Sequence, residues 1–168
     1  FSYINEGDIV RLDPAHNALN VIYRINSNSN SLLVTERCNS YCLMCSQPPK
    51  QIDDGFILNE LLQAVPLMSR ETREIGITGG EPTILGDGFF MLVRCIKNYL
   101  PDTAIHILSN ARNFKNYELS EKLEQIDHPD LMLGIPLYSD QSDIHDYVVQ
   151  ADGAYDETIR GILNLKRY

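Results

Sequence analysis

Two short runs of apolar and β-branched residues, Asp8 to Leu12 and Asn20 to Ile25, flank the turn-forming segment Asp13-Pro14-Ala15-His16-Asn17. Such a pattern predicts a β-hairpin. Asn26 to Ser31 alternates Asn and Ser, offers no apolar face, and predicts a linker with a boundary near residue 30. Beyond it, apolar runs alternate with helix-like stretches. Leu32 to Thr35 precedes Ile57 to Arg70, Glu74 to Thr78 precedes Gly88 to Tyr99, Ala104 to Ser109 precedes Tyr117 to Ile126, and Leu131 to Tyr138 precedes a helix within Asp156 to Arg167. Four β/α repeats in series predict parallel strands joined by right-handed crossovers, with helices covering the sheet. Functional groups are then expected at the strand C-terminal ends. Pro66 predicts a kink or an early stop in the first helical stretch. The chain therefore divides into residues 1–30, hairpin and linker, and residues 31–168, an α/β unit.

Length and charge narrow the classes of function. A chain of 168 residues suits one domain with a sizeable core. Its formal net charge of −9 disfavours nucleic acid as a partner, because phosphate binding relies on clustered Lys and Arg. No apolar run approaches the roughly 20 residues of a membrane helix, and Phe1 to Asp8 lacks the basic start of a secretory signal. A cytoplasmic protein is expected, with no membrane partner. With Phe1 in place of Met, a preceding segment is expected to have been removed by processing or truncation, truncation being favoured.

Three of the four cysteines crowd into Cys38-Asn39-Ser40-Tyr41-Cys42-Leu43-Met44-Cys45, directly after the first parallel strand. Without a secretory signal they read as reduced metal ligands rather than disulfide partners. Three thiolates suit an iron-sulfur cube with one iron left open to a substrate or cofactor. A closed structural zinc site is the alternative, and it needs a fourth ligand that no neighbouring Cys or His supplies. Cys95, beside Val93 and Ile96, reads as a small buried hydrophobe. Gly79-Gly80-Glu81-Pro82 ends the second parallel strand. Its glycines let backbone approach a ligand, Glu81 offers a carboxylate to a cationic amine, and Pro82 stiffens the exit. A plain strand-to-helix turn would use the same residues. One strand-helix unit separates the two segments, which puts them at neighbouring strand ends.

The Cys-x3-Cys-x2-Cys loop followed by Gly-Gly-Glu-Pro resembles the radical S-adenosylmethionine (radical SAM) superfamily over roughly residues 32 to 168. The strings from Glu36 to Pro49 and from Gly134 to Ser139 also resemble radical maturases of His-Xaa-Ser peptide systems. The resemblance implies a partial (β/α) barrel of the radical SAM type, with four of the usual six strand-helix units, truncated at the C-terminus and preceded by a short hairpin. It further implies a [4Fe-4S] cluster on Cys38, Cys42 and Cys45, with S-adenosyl-L-methionine chelating the open iron. Met44 would pack on the adenine, a position commonly aromatic in the family. Gly79, Gly80 and Glu81 would accept the methionine ammonium. Ser109 and Asn110 stand where a Thr-Asn-Gly turn is frequent, and Ser139 where a Ser or Asp often meets the ribose or carboxylate. Ordinary turn chemistry explains Ser109, Asn110 and Ser139 equally well. Alternation along the fourth strand places Leu137 and Ser139 on one face, which suits an inward Ser139.

The implied activity is reductive cleavage of the cofactor to methionine and a 5′-deoxyadenosyl radical, which then takes a hydrogen atom from a peptide. An electron donor and a companion maturase are the expected partners. A small-molecule substrate, or a metal-binding fragment without turnover, are the alternative readings. Relatives carry an Arg after a His-Asp pair, but here Tyr147-Val148-Val149 follows His145-Asp146, so no cofactor-binding Arg is carried over. No separate catalytic acid or base can be named; Tyr138, Tyr41 and Glu36 are eligible by chemistry alone.

Overall fold

A computed structural model describes residues 3–167. Phe1, Ser2 and Tyr168, which fall within the two segments read from the sequence, lie outside the described residues. Strands β1 (Ile9–Asp13) and β2 (Ala18–Tyr23) form the antiparallel hairpin. The β/α part runs β3 (Asn30–Leu33), α1 (Gly55–Ala64), β4 (Glu74–Thr78), α2 (Asp87–Tyr99), β5 (Ala104–Leu108), α3 (Tyr117–Glu124), β6 (Leu131–Gly134), α4 (Ser142–Val149) and α5 (Ala154–Leu165). Strands β3, β4, β5 and β6 lie side by side in chain order, every pair parallel. All four C-terminal ends therefore open on the same side.

Period-two alternation explains how the sheet is covered. Ile75 and Ile77 of β4 and Ile105 and Ile107 of β5 are buried, while Gly76, Thr78 and His106, one step out of phase, are not. The buried set meets the helices. On α2, Phe89, Leu92, Val93 and Ile96 are buried at helical spacing and join the same core. Burying each such side chain stabilises the fold by about 1.5–3 kcal/mol. The hairpin docks on this core through Tyr23, whose hydroxyl meets Thr72 Oγ1 at 2.8 Å.

Several boundaries differ from expectation for local reasons. α1 stops at Ala64 and continues as a 3-10 turn over Val65–Leu67, as Pro66 dictates. Asn30, read as linker, is buried and opens β3, its side chain bonding both the N–H and the carbonyl of Arg24. β6 ends at Gly134 because Pro136 has no N–H to extend the ladder. Leu137 and Ser139 lie beyond the strand, so strand alternation does not relate their faces. α4 was not expected at all, since exposed Ile144 and Tyr147 blur its apolar face.

Candidate functional site

The chain after β3 is stitched to the end of β4 before it reaches the first cysteine. Val34 N donates to Thr78 O, Gly80 N to Thr35 O, and Glu81 N to Arg37 O, each at 2.9 Å. The two glycines make this approach possible. A Cβ on Gly79 would lie 2.3 Å from Thr35 O, and one on Gly80 would lie 2.0 Å from Arg37 O. Gly79 also has a φ of +139°, which side chains rarely adopt. Gly80 has no positive φ, so its requirement is closeness of backbone to backbone.

Asp54 fixes the same stretch from below. It occupies the cap position of α1 but does not cap it. Its buried carboxylate instead accepts from Thr35 Oγ1 at 2.6 Å, Glu36 N at 2.7 Å and Arg37 Nε at 2.7 Å. Burial alone would raise its pKa, yet these donors outweigh that and hold the carboxyl below its ordinary value.

Further along, the cysteine loop is held by elements distant in sequence. Arg112, in the turn after β5, donates through Nη1 to the Asn39 carbonyl and to Ser40 Oγ, the latter at 3.0 Å. Its Nε donates to Glu157 of α5 at 2.7 Å. Asn110 Nδ2 reaches Asn39 Oδ1 at 2.6 Å. Tyr41 N and Leu43 N donate to the carbonyls of Val149 and Val148 at the end of α4.

The result is a cavity of about 560 Å³ at the strand ends. Cys38, Cys42 and Cys45 line it, together with Gly79, Gly80, Ser109, Asn110 and Tyr138. Burial raises the Cys38 thiol, with the Ser40 and Asn39 amides opposing, and it raises the Cys42 thiol, with Arg112 opposing. Burial likewise raises the Tyr138 hydroxyl. Among the described residues no three His, Cys, Asp or Glu side chains gather on one point suited to a single metal ion. The thiolates of a three-cysteine cube each take a different iron, so they need to face a common space rather than meet at one atom. Cys38, Cys42 and Cys45 all border the one cavity, as such a cube would require.

Three residues expected at the site are not on the cavity wall. Glu81 is fully buried and does not line the cavity. Its Oε1 accepts from Thr83 N, Thr83 Oγ1 and Ser109 Oγ, and its Oε2 from Asn110 N at 2.7 Å. The carboxylate thus joins the end of β4 to the end of β5. Burial raises its pKa against these four donors. Met44 is exposed, outside the cavity wall. Ser139 also lies off the wall, its Oγ accepting from Gln141 N at 3.0 Å. Ser109 and Asn110 do line the cavity while tying the turn to Glu81 and Asn39.

His145 and Asp146 prove architectural. His145 is buried and accepts from Tyr138 N at Nδ1, and Asp146 takes the amides of Gly153 and Tyr155 at the start of α5. Cys95 packs partly buried against the core, as expected. Sequence reasoning missed Asp54 and Arg112. Arg112 could have been noticed as a cation two residues past Asn110, on the side where the strand ends open; Asp54, just before a helix, reads as an ordinary cap.

A parallel β/α sheet that gathers three thiols and a bare glycine turn around one cavity defines a cofactor-binding β/α domain. The family profile of the radical SAM superfamily matches residues 32–168. The chain belongs to that superfamily, whose members generally use a [4Fe-4S] cluster and S-adenosylmethionine. No curated protein matches the chain. Among the described residues no helix is long and apolar enough to cross a membrane.

Proposed function

We propose that Cys38, Cys42 and Cys45 hold a [4Fe-4S] cluster and that S-adenosylmethionine binds beside it against Gly79 and Gly80, for radical modification of a peptide. The observation that carries this reading is the shared cavity, in which one loop presents three thiols opposite the side-chain-free end of β4. When bound, the cluster supplies the electron for reductive cleavage of the cofactor and an open iron for its amino and carboxylate groups. The chain's own part is placement. With the Glu81 carboxylate spent internally, the carbonyls of Gly79 and Gly80 are the acceptors offered to the methionine ammonium, and Ser109 and Asn110 form the neighbouring wall.

Support for a peptide substrate of the His-Xaa-Ser type is the likeness of residues 36–49 and 134–139 to maturases of such systems. Exposed Leu108, Leu137 and Tyr138 near the cavity offer apolar surface to a peptide's side chains. An electron donor and a companion maturase are the partners this chemistry calls for. Incubating the reduced, reconstituted protein with S-adenosylmethionine and a short peptide containing His-Xaa-Ser repeats should change the peptide mass. Turnover of a small molecule with the peptide unchanged would overturn the substrate assignment.

The ligand assignment is tested by single substitutions. Cys38→Ala, Cys42→Ala and Cys45→Ala should each lose most bound iron and sulfide after anaerobic reconstitution, whereas Cys95→Ala should keep both. Full iron in Cys42→Ala would sink the cluster reading.

A further inference from the structure

Arg112 is the cation that joins the cysteine loop to the last helix. Its side chain is largely buried, and its fork is divided between two ends. One end grips the Asn39 carbonyl and Ser40 Oγ, the two residues between Cys38 and Tyr41. The other meets Glu157, which also holds Lys115. Thr158 Oγ1, next along α5, donates to the Asn110 carbonyl at 3.0 Å, so α5 braces both the turn after β5 and the cation that turn carries.

A guanidinium suits this place for two reasons. Its planar fork satisfies a carbonyl, a hydroxyl and a carboxylate at once, which an ammonium on a flexible stem does less well. Its charge is permanent, and a partly buried charge near a redox centre is weakly screened. Each electron added to a thiolate-ligated cluster adds negative charge, and a fixed cation beside it favours the reduced form. Glu157 acts with the opposite sign, partly offsetting Arg112.

We propose that Arg112 is a positioning residue for the cysteine loop and that the Arg112–Glu157 pair sets how easily a cluster on that loop is reduced. This rests on the reading of Cys38, Cys42 and Cys45 as cluster ligands. The test is a dye-mediated redox titration of the anaerobically reconstituted protein, followed by the paramagnetic signal of the reduced cluster. Arg112→Gln should lower the reduced-to-oxidised ratio at a fixed poise by about tenfold, the change that one charge about 12 Å away produces at an effective dielectric near 20. Glu157→Gln should raise that ratio, and Arg112→Lys should restore most of the Gln variant's loss. Opposite shifts from the two neutralising variants are what a disturbed fold would not give.

Loop positioning has its own readout in the metal-free protein. Hydrogen exchange at the Asn39 to Tyr41 amides should quicken in Arg112→Gln while the β4 and β5 amides stay protected. Equal reduced fractions in wild type, Arg112→Gln and Glu157→Gln would overturn the electrostatic claim, and unchanged exchange in Arg112→Gln would overturn the positioning claim. If Arg112→Gln retains no cluster, Glu157→Gln decides the electrostatic claim alone. A wild-type protein that takes up no cluster would bring down the ligand reading, and this proposal with it.

Discussion

Glu81 and Asp54 are acidic residues buried on either side of the loop-to-strand junction, and each is answered by donors rather than left to water. Glu81→Gln keeps shape but replaces one acceptor oxygen by an NH2 group that faces donors from Thr83, Ser109 or Asn110. The expected cost is about 1–3 kcal/mol of stability, measurable by denaturant unfolding of the metal-free protein. Asp54 makes stability depend on pH. Its folded pKa lies below the ordinary 3.8, so its contribution is complete above that value and is lost as pH falls through the folded pKa. Asp54→Asn should therefore be less stable than wild type at neutral pH and flatter below about pH 4. Acid titration followed by circular dichroism checks both halves. The cysteines and glycines were legible because spacing alone exposes them, whereas the inward turn of Glu81 was not, since its partners Ser109 and Asn110 come from the next strand end.

At the scale of elements, α5 approaches the turn after β5 closely at Gly161. A Cβ on Gly161 would stand 2.2 Å from the Ala111 carbonyl oxygen. Helix propensity predicts that Gly161→Ala stabilises by about 1 kcal/mol. The backbone clash reverses that sign, and the variant should melt below wild type and loosen the Arg112–Glu157 pair that α5 carries. A higher melting temperature would show that α5 can move outward freely. The strands were readable to within a residue or two where Ile alternates with small or polar residues, as in β4 and β5. β6 was read too long because the apolar run continues through Ile135-Pro136-Leu137 while its hydrogen bonding does not. α4 escaped notice because its buried face is short and includes His145, a residue that period-based reading counts as polar.

For the whole molecule, the parallel order of β3 to β6 brings four strand ends to one side, and the cysteine loop is braced there by the ends of β4, β5 and α4 and, through Arg112 and Glu157, by α5. That bracing was beyond sequence reasoning, since the Arg112 contacts to the loop and Glu157 span 45 to 73 positions of chain. The α/β class, by contrast, was visible in the alternation of short apolar runs with amphipathic stretches. Preordering would serve the proposed function, because a loop fixed before a cofactor arrives binds it at little further entropic cost. Gly80→Val should undo the arrangement at its seam, where even a Cβ would lie 2.0 Å from the Arg37 carbonyl oxygen, and should impair both iron retention and cofactor affinity.

Three cysteine ligands would leave one iron of a cluster open to S-adenosylmethionine. The measurement that tests it most directly is the paramagnetic spectrum of the reduced, reconstituted protein recorded without and with S-adenosylmethionine. A reduced cluster signal that shifts on addition of the cofactor, in wild type and in Cys95→Ala alike, is the predicted result. A cluster signal identical with and without the cofactor, or a colourless protein that binds zinc in place of iron, would contradict the account.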